Sequence, residues 1–288
     1  MSILKPILFL LLLSIFSCSN ETYEESGDPN MDVTDPDSTP LNFVPNTQGD
    51  YWVYNVESSN NDIPEMNFTG TDSLYIATST TDEFTYEANN GMAALGTMTT
   101  LLTNGSLSKT TTTLEYTGTL EFPIETISIS EMPTINDLKI IDLDASNGEI
   151  LSSFSENFSE SIEIQGTNIP IEVSYALTSK KENFYATTSL NGMTYTNVFE
   201  ATIRFNLSVT GTVTVFGASQ SINFIQPQDI LTVRYFYSGD VGLVRAESTQ
   251  GFELSPELIL LIQQLGETNM TTSAQTVSVE ELTRFLVF

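Results

Sequence analysis

Histidine is absent from this sequence, and cysteine occurs once, at position 18. Without an imidazole or a second thiol there is no Ser-His-Asp or Cys-His catalysis, no imidazole zinc site and no disulfide within the chain. Any catalysis would rest on carboxylates, a Ser/Lys pair, tyrosine or an oxygen-bound metal. No Asp-x-Asp-x-Asp-Gly calcium loop occurs, and no P-loop or GxGxxG opens a helix. The expectation is therefore no catalytic residue, no metal and no cofactor. Basic residues are scarce: nine Lys and Arg stand against 37 Asp and Glu, a net charge of −28. Such a surface repels nucleic-acid phosphates and anionic lipid heads, which excludes nucleic acid as a partner. The excess charge reads as solubilising. Long apolar runs are also missing. The longest, residues 7–16, falls short of the roughly 20 residues of a membrane-spanning helix.

That short run has another use. Lys5, the stretch Leu8-Phe9-Leu10-Leu11-Leu12-Leu13 and Ser17 follow the order of a secretory signal: basic start, apolar centre, small residue before the cut. The string Ile15-Phe16-Ser17-Cys18 resembles the lipobox of bacterial lipoproteins. The resemblance implies that residues 1–17 are a cleaved signal peptide and that Cys18 is the lipidation site and first residue of the mature protein. One acyl chain anchors only marginally; that family's mature form carries several, of palmitate type, which implies durable attachment. Ser19, rather than an aspartate, follows the cysteine, which by the same resemblance implies the outer membrane, with the domain on its periplasmic or surface side. Loss of Lys5 with the leader leaves eight basic against 37 acidic residues, a charge of −29 (8 − 37).

Residues 18–40 read as the lipidated cysteine and an acidic tether. Glu21, Glu24, Glu25, Asp28, Asp32, Asp35 and Asp37 occur there without a Lys or Arg, and Pro29, Pro36 and Pro40 punctuate the stretch. Such a composition buries too little apolar surface to offset its ordering entropy. Fully stretched it reaches on the order of 75 Å; as a coil it averages roughly 25 Å. Acidic residues soon after a lipidated cysteine resemble the surface-export signal of Bacteroidetes lipoproteins, and a plain spacer accounts for them equally. Residues 41–288 read as a single β-rich domain, since no proline- or serine-rich linker divides them.

Period-two alternation dominates that domain. Ile203, Phe205, Leu207, Val209, Val213 and Val215 alternate with Arg204, Asn206, Ser208, Thr210, Thr212 and Thr214, which puts one set on a buried face and the other in water. Unbroken, this strand spans about 43 Å, a length that suits a strongly curved sheet or barrel wall. Gly211 falls in the apolar phase and marks a bulge or sharp bend. Ile169, Ile171, Val173, Tyr175 and Leu177 repeat the pattern, as do Leu114, Tyr116, Leu120 and Phe122 around Gly118, and Val233, Tyr235 and Tyr237. Gly166-Thr167-Asn168 and Gly217-Ala218-Ser219 supply hairpin turns. One helix is predicted after Ser255, with Ser255 as N-cap, Pro256 at the first position, Glu257 complementing the dipole and Gly266 as terminator. Residues 258–262 are apolar without a break, so this helix is expected to be buried all round, in the concavity of the sheet. The predicted fold is thus mainly β: a strongly curved antiparallel sheet or half-barrel with one buried helix packed in its concave side.

Three segments resemble those of uncharacterised Bacteroidetes-type outer-membrane lipoproteins. They are Asn42-Phe43-Val44-Pro45 with Gly49-Asp50-Tyr51-Trp52-Val53-Tyr54, then Gly192-Met193-Thr194-Tyr195-Thr196-Asn197-Val198, and Tyr235-Phe236-Tyr237-Ser238-Gly239-Asp240-Val241-Gly242-Leu243-Val244. The last carries Asp240 as an insertion. At the level of fold the resemblance extends to the half-barrel of LolA-like and LppX-like lipid carriers, although fold does not fix function. It implies a non-enzymatic binding or carrier module for an apolar or amphiphilic ligand. A surface protein binding glycan or protein partners is the alternative, and a carboxylate-dependent hydrolase a third. No ligand-binding residue or oligomeric state can be assigned from the sequence. Trp52 reads as a core anchor, and Gly239 and Gly242 as a tight turn and a close strand crossing. Glu280-Glu281 reads as a solvated turn or helix start, Ser179-Lys180-Lys181 as a polar hairpin tip, and Arg204 and Arg234 as partners of neighbouring acids.

Overall fold

The alternating segments become strands of one sheet in the computed structural model, which describes residues 42–60, 64–120, 134–164, 167–215, 218–264 and 271–288. In chain order these are β1 (Tyr51–Asn60), β2 (Phe68–Ser79), β3 (Glu83–Ala88), α1 (Thr97–Thr103), β4 (Gly105–Lys109), β5 (Thr113–Thr119), β6 (Thr134–Asp142), β7 (Ile150–Ile164), β8 (Thr167–Leu190), β9 (Met193–Val215), β10 (Ala218–Ser238), β11 (Gly242–Glu253), α2 (Pro256–Gln264) and β12 (Ser273–Leu286). A short 3-10 turn, Pro64–Met66, follows β1. Pro40–Phe288 form one compact unit. Cys18 and the acidic stretch after it lie outside the described residues, as do Phe122, Gly166, Gly217 and Gly266.

All twelve strands join in the order β6-β5-β4-β3-β2-β1-β12-β11-β10-β9-β8-β7. Each hydrogen-bonded pair is antiparallel, and the sheet curls until it is nearly closed into a barrel. The expected mainly β half-barrel is therefore the observed fold. At the seam between edges β6 and β7, the Lys139 amide donates to Ser152 Oγ at 2.9 Å. From the interior, the Tyr235 hydroxyl donates to the Ile140 carbonyl at 2.7 Å.

Alternation fills the inside. Trp52, Tyr54 and Val56 of β1, Leu74 and Ile76 of β2, Leu177 of β8, Ala201, Ile203, Phe205 and Val209 of β9, and Val233, Tyr235 and Tyr237 of β10 are all buried. Fully burying one such side chain contributes about 1.5–3 kcal/mol. β9 runs 23 residues, and its inward phase is the one the alternation predicts. Gly211 is an inward position where a Cβ would lie 2.2 Å from the Phe224 ring. The missing side chain makes room for Phe224, which sits where the β9–β10 register shifts.

The opening and closing motifs meet. Trp52 Nε1 donates to the Val241 carbonyl at 2.6 Å, and the Tyr54 hydroxyl to the Leu243 carbonyl at 3.0 Å. Gly242 lies between these acceptors at φ +100°, and a Cβ on it would come within 3.2 Å of Trp52 Nε1. Trp52 is thus a core anchor, with Tyr86 edge-on to it at 5.7 Å. Asp240 (φ +59°) turns the chain between β10 and β11, and its carboxylate accepts from the Asn42 amide at 3.0 Å.

The two helices differ from the single one expected. α2 begins as the sequence predicts, with Ser255 Oγ accepting from the Leu258 amide at 3.0 Å. It packs on β10 through Leu258 and Ile262, but Leu260 is 57% exposed. The unbroken apolar run therefore does not bury the helix all round; Leu258 and Ile262, at i and i+4, are buried, Ile259 and Leu261 are partly buried against the core, and Leu260 faces outward. α1, with no counterpart in the sequence reading, forms the β3–β4 connection and lies against the buried face of the sheet, touching β3, β4 and β11.

Candidate functional site

α1 is seven residues long and rich in threonine, a poor helix former. Its N-cap is Gly96, which has no side chain to receive the first amides. Two inward-facing carboxylates do so instead. Glu280, on β12, accepts from the Met98 amide at 2.6 Å and the Thr99 amide at 3.0 Å. Asp72, on β2, accepts from the Leu95 and Gly96 amides at 2.9 and 2.8 Å and from the Thr99 hydroxyl at 2.7 Å. Thr99 is thus gripped by both acids. Gly96 permits the approach, since a Cβ there would lie 2.2 Å from the Glu280 carboxyl carbon.

Glu280 is 1% exposed. Burial pushes its carboxyl up to about 7; the Met98 and Thr99 amides pull it the other way and the charge of Asp72 adds to the rise. Its strand position corrects the reading of Glu280-Glu281 as a solvated turn or helix start. The pair falls mid-strand, where alternation sends Glu280 inward and turns Glu281 to Arg245 on the outside. Two buried carboxylates side by side meet part of the requirement for acid–base chemistry. Here their oxygens are occupied by amide and hydroxyl donors.

Beside α1 lies a cavity of about 360 Å³. Leu95, Leu101, Leu120 and Leu231 give it apolar walls, and Thr97, Thr100, Asn104 and Gln250 give it hydrogen-bonding groups. Its size is that of a small-ligand site. The polar groups continue as a band across three adjacent strands. Ser58 pairs with Ser278 and Asn60 with Thr276; Ser278 pairs with Ser248 and Thr276 with Gln250. Ser248 Oγ lies 2.9 Å from Thr97 Oγ1 on α1. Ser278 Oγ is buried and has no hydrogen-bond partner among the described residues. A second cavity, about 290 Å³, lies between Phe43, Val44, Leu114 and Leu143. Lys109 crosses it to the Val44 carbonyl at 2.9 Å, and burial pulls its ammonium below the ordinary lysine range.

The other sequence candidates take structural places. Ser179-Lys180-Lys181 is not a hairpin tip; it lies within the 24-residue β8. Ser179 and Lys181 point inward, and Lys181 is 4% exposed. Its ammonium donates to the Leu143 and Ala145 carbonyls at 3.1 and 2.6 Å and faces the Phe199 ring at 5.4 Å. Burial lowers its affinity for the proton. The polar string misleads because β8 outruns any ordinary strand and alternation carries a lysine inside. Arg204 pairs with Asp229 at 3.3 Å and Arg234 with Glu200 and Glu247 at 2.5 and 3.6 Å, as expected. Among the described residues, no group of three or more His, Cys, Asp or Glu is placed to hold a metal, and no helix is long and apolar enough to cross a membrane. No protein-family model, curated protein or solved structure matches the chain.

Proposed function

We propose that this chain is a non-enzymatic binding or carrier module for an apolar or amphiphilic molecule, held at the outer membrane through lipid on Cys18. The supporting observation is the cavity beside α1, where four leucines and a few hydrogen-bonding groups converge. α1 occupies part of the concavity and leaves this volume beside it. The buried acids act as caps for α1, which gives them a role that needs no substrate.

Native mass spectrometry of the protein purified from its native membrane tests the proposal. A bound lipid-sized mass is expected, and Leu231→Trp, which fills the cavity, should abolish it. A bare polypeptide would favour the second reading, a surface interaction protein. That reading has its own support in the exposed Phe285 and Leu286 at the end of β12 and Phe288 just beyond it, with Phe288 76% exposed.

A further inference from the structure

We infer that the molecule taken by the cavity beside α1 carries an uncharged, hydroxyl-bearing head on a medium-length apolar chain; this rests on the binding reading above. The walls contain four leucines, which fit a hydrocarbon chain, and among the described residues the polar lining consists only of hydroxyl and amide groups. Among the described residues, no lysine or arginine lines the cavity. A phosphate or carboxylate head would therefore lose its hydration without gaining a charged partner.

The groups behind the wall oppose an anion further. Asp72 accepts from the amides of Leu95 and Gly96, two residues that line the cavity, and Glu280 sits against Gly96. A cationic head gains little from these acids. Their oxygens already accept from the amides of Leu95, Gly96, Met98 and Thr99. What the site offers a head group is a set of neutral donors and acceptors: Thr97, Thr100, Asn104 and Gln250, backed by the Ser58, Ser278 and Ser248 row. The Ser278 hydroxyl, without a hydrogen-bond partner among the described residues, belongs to that row. Such groups match alcohols and amides, which donate and accept at once.

Displacement of the neutral fluorophore 1-aminoanthracene from the full chain tests this, with Cys18→Ser so that no attached acyl group competes. The competitors are monolaurin, laurate and dodecyltrimethylammonium, each below its aggregation threshold. Monolaurin should displace the probe at a concentration at least tenfold lower than either ion. In Thr97→Val/Gln250→Leu, which should still take up the probe, that advantage should fall below threefold. Laurate or the ammonium displacing as well as monolaurin would overturn the inference and leave the binding reading standing, as would an undiminished preference in the double variant. Failure of the wild-type chain to take up probe or any competitor would overturn both.

Discussion

Glu280 is held by two forces of opposite sign. The amides of α1 stabilise its charge, while burial and Asp72 penalise it, and the penalty is larger. The linkage follows from the direction. A carboxyl that binds its proton more tightly folded than unfolded adds stability at pH below about 4.5, its unfolded value, and loses that contribution as pH rises toward about 7. The loss is on the order of a few kcal/mol, since each pKa unit is worth about 1.4. Chemical denaturation between pH 5 and 8 should show wild type weakening with pH and Glu280→Gln weakening less. The glutamine also places a donor against an amide of α1, so at pH 5 it should be the less stable protein by about 1–3 kcal/mol. Equal pH slopes would remove Glu280 from this role. None of this was legible in the sequence, because acids abound there and adjacency in the chain does not tell an inward Glu280 from an outward Glu281. Trp52 was legible, since it shares the phase of Tyr54 and Val56.

Among the elements, β9 was readable because its inward phase persists over many residues, and α2 because Ser255, Pro256 and Glu257 are a local start signal. α1 was not. Its caps come from Asp72 and Glu280, the latter 182 residues away, and a window of sequence cannot contain them. The extent of α2's burial was misread because an unbroken apolar run shows no phase, and only packing on β10 selects Leu258 and Ile262. Gly211 was noticed, but its reason lies in a ring from the next strand. Gly211→Ala should destabilise by about 1–3 kcal/mol through overpacking against Phe224. The double variant Gly211→Ala/Phe224→Leu should recover part of that loss, a coupling measurable in a double-mutant cycle. Additive losses would mean that the contact carries no strain.

For the molecule as a whole, near-closure leaves two edges. β6 has nine residues and β7 fifteen, and among the described residues no strand is laddered to the outer side of β7. A bare edge invites another strand, and inward-pointing charges discourage one. Glu156 and Glu160 sit in the inward phase of β7, opposite Tyr175 and Ile171, and the Tyr175 hydroxyl donates to Glu156 at 2.7 Å. Replacing Glu156 and Glu160 by valine should turn β7 into an adhesive edge, seen as concentration-dependent dimers or larger species by light scattering. A variant as monodisperse as wild type would mean that curvature alone protects the edge. The strand order carries one more consequence. Every ladder in this sheet joins strands consecutive in the chain except β1 with β12. Strands one to six and seven to twelve are therefore two ribbons, each built from neighbours in the chain. A single ladder, the last strand beside the first, clasps one ribbon to the other, so a chain cut short of β12 would lack the clasp.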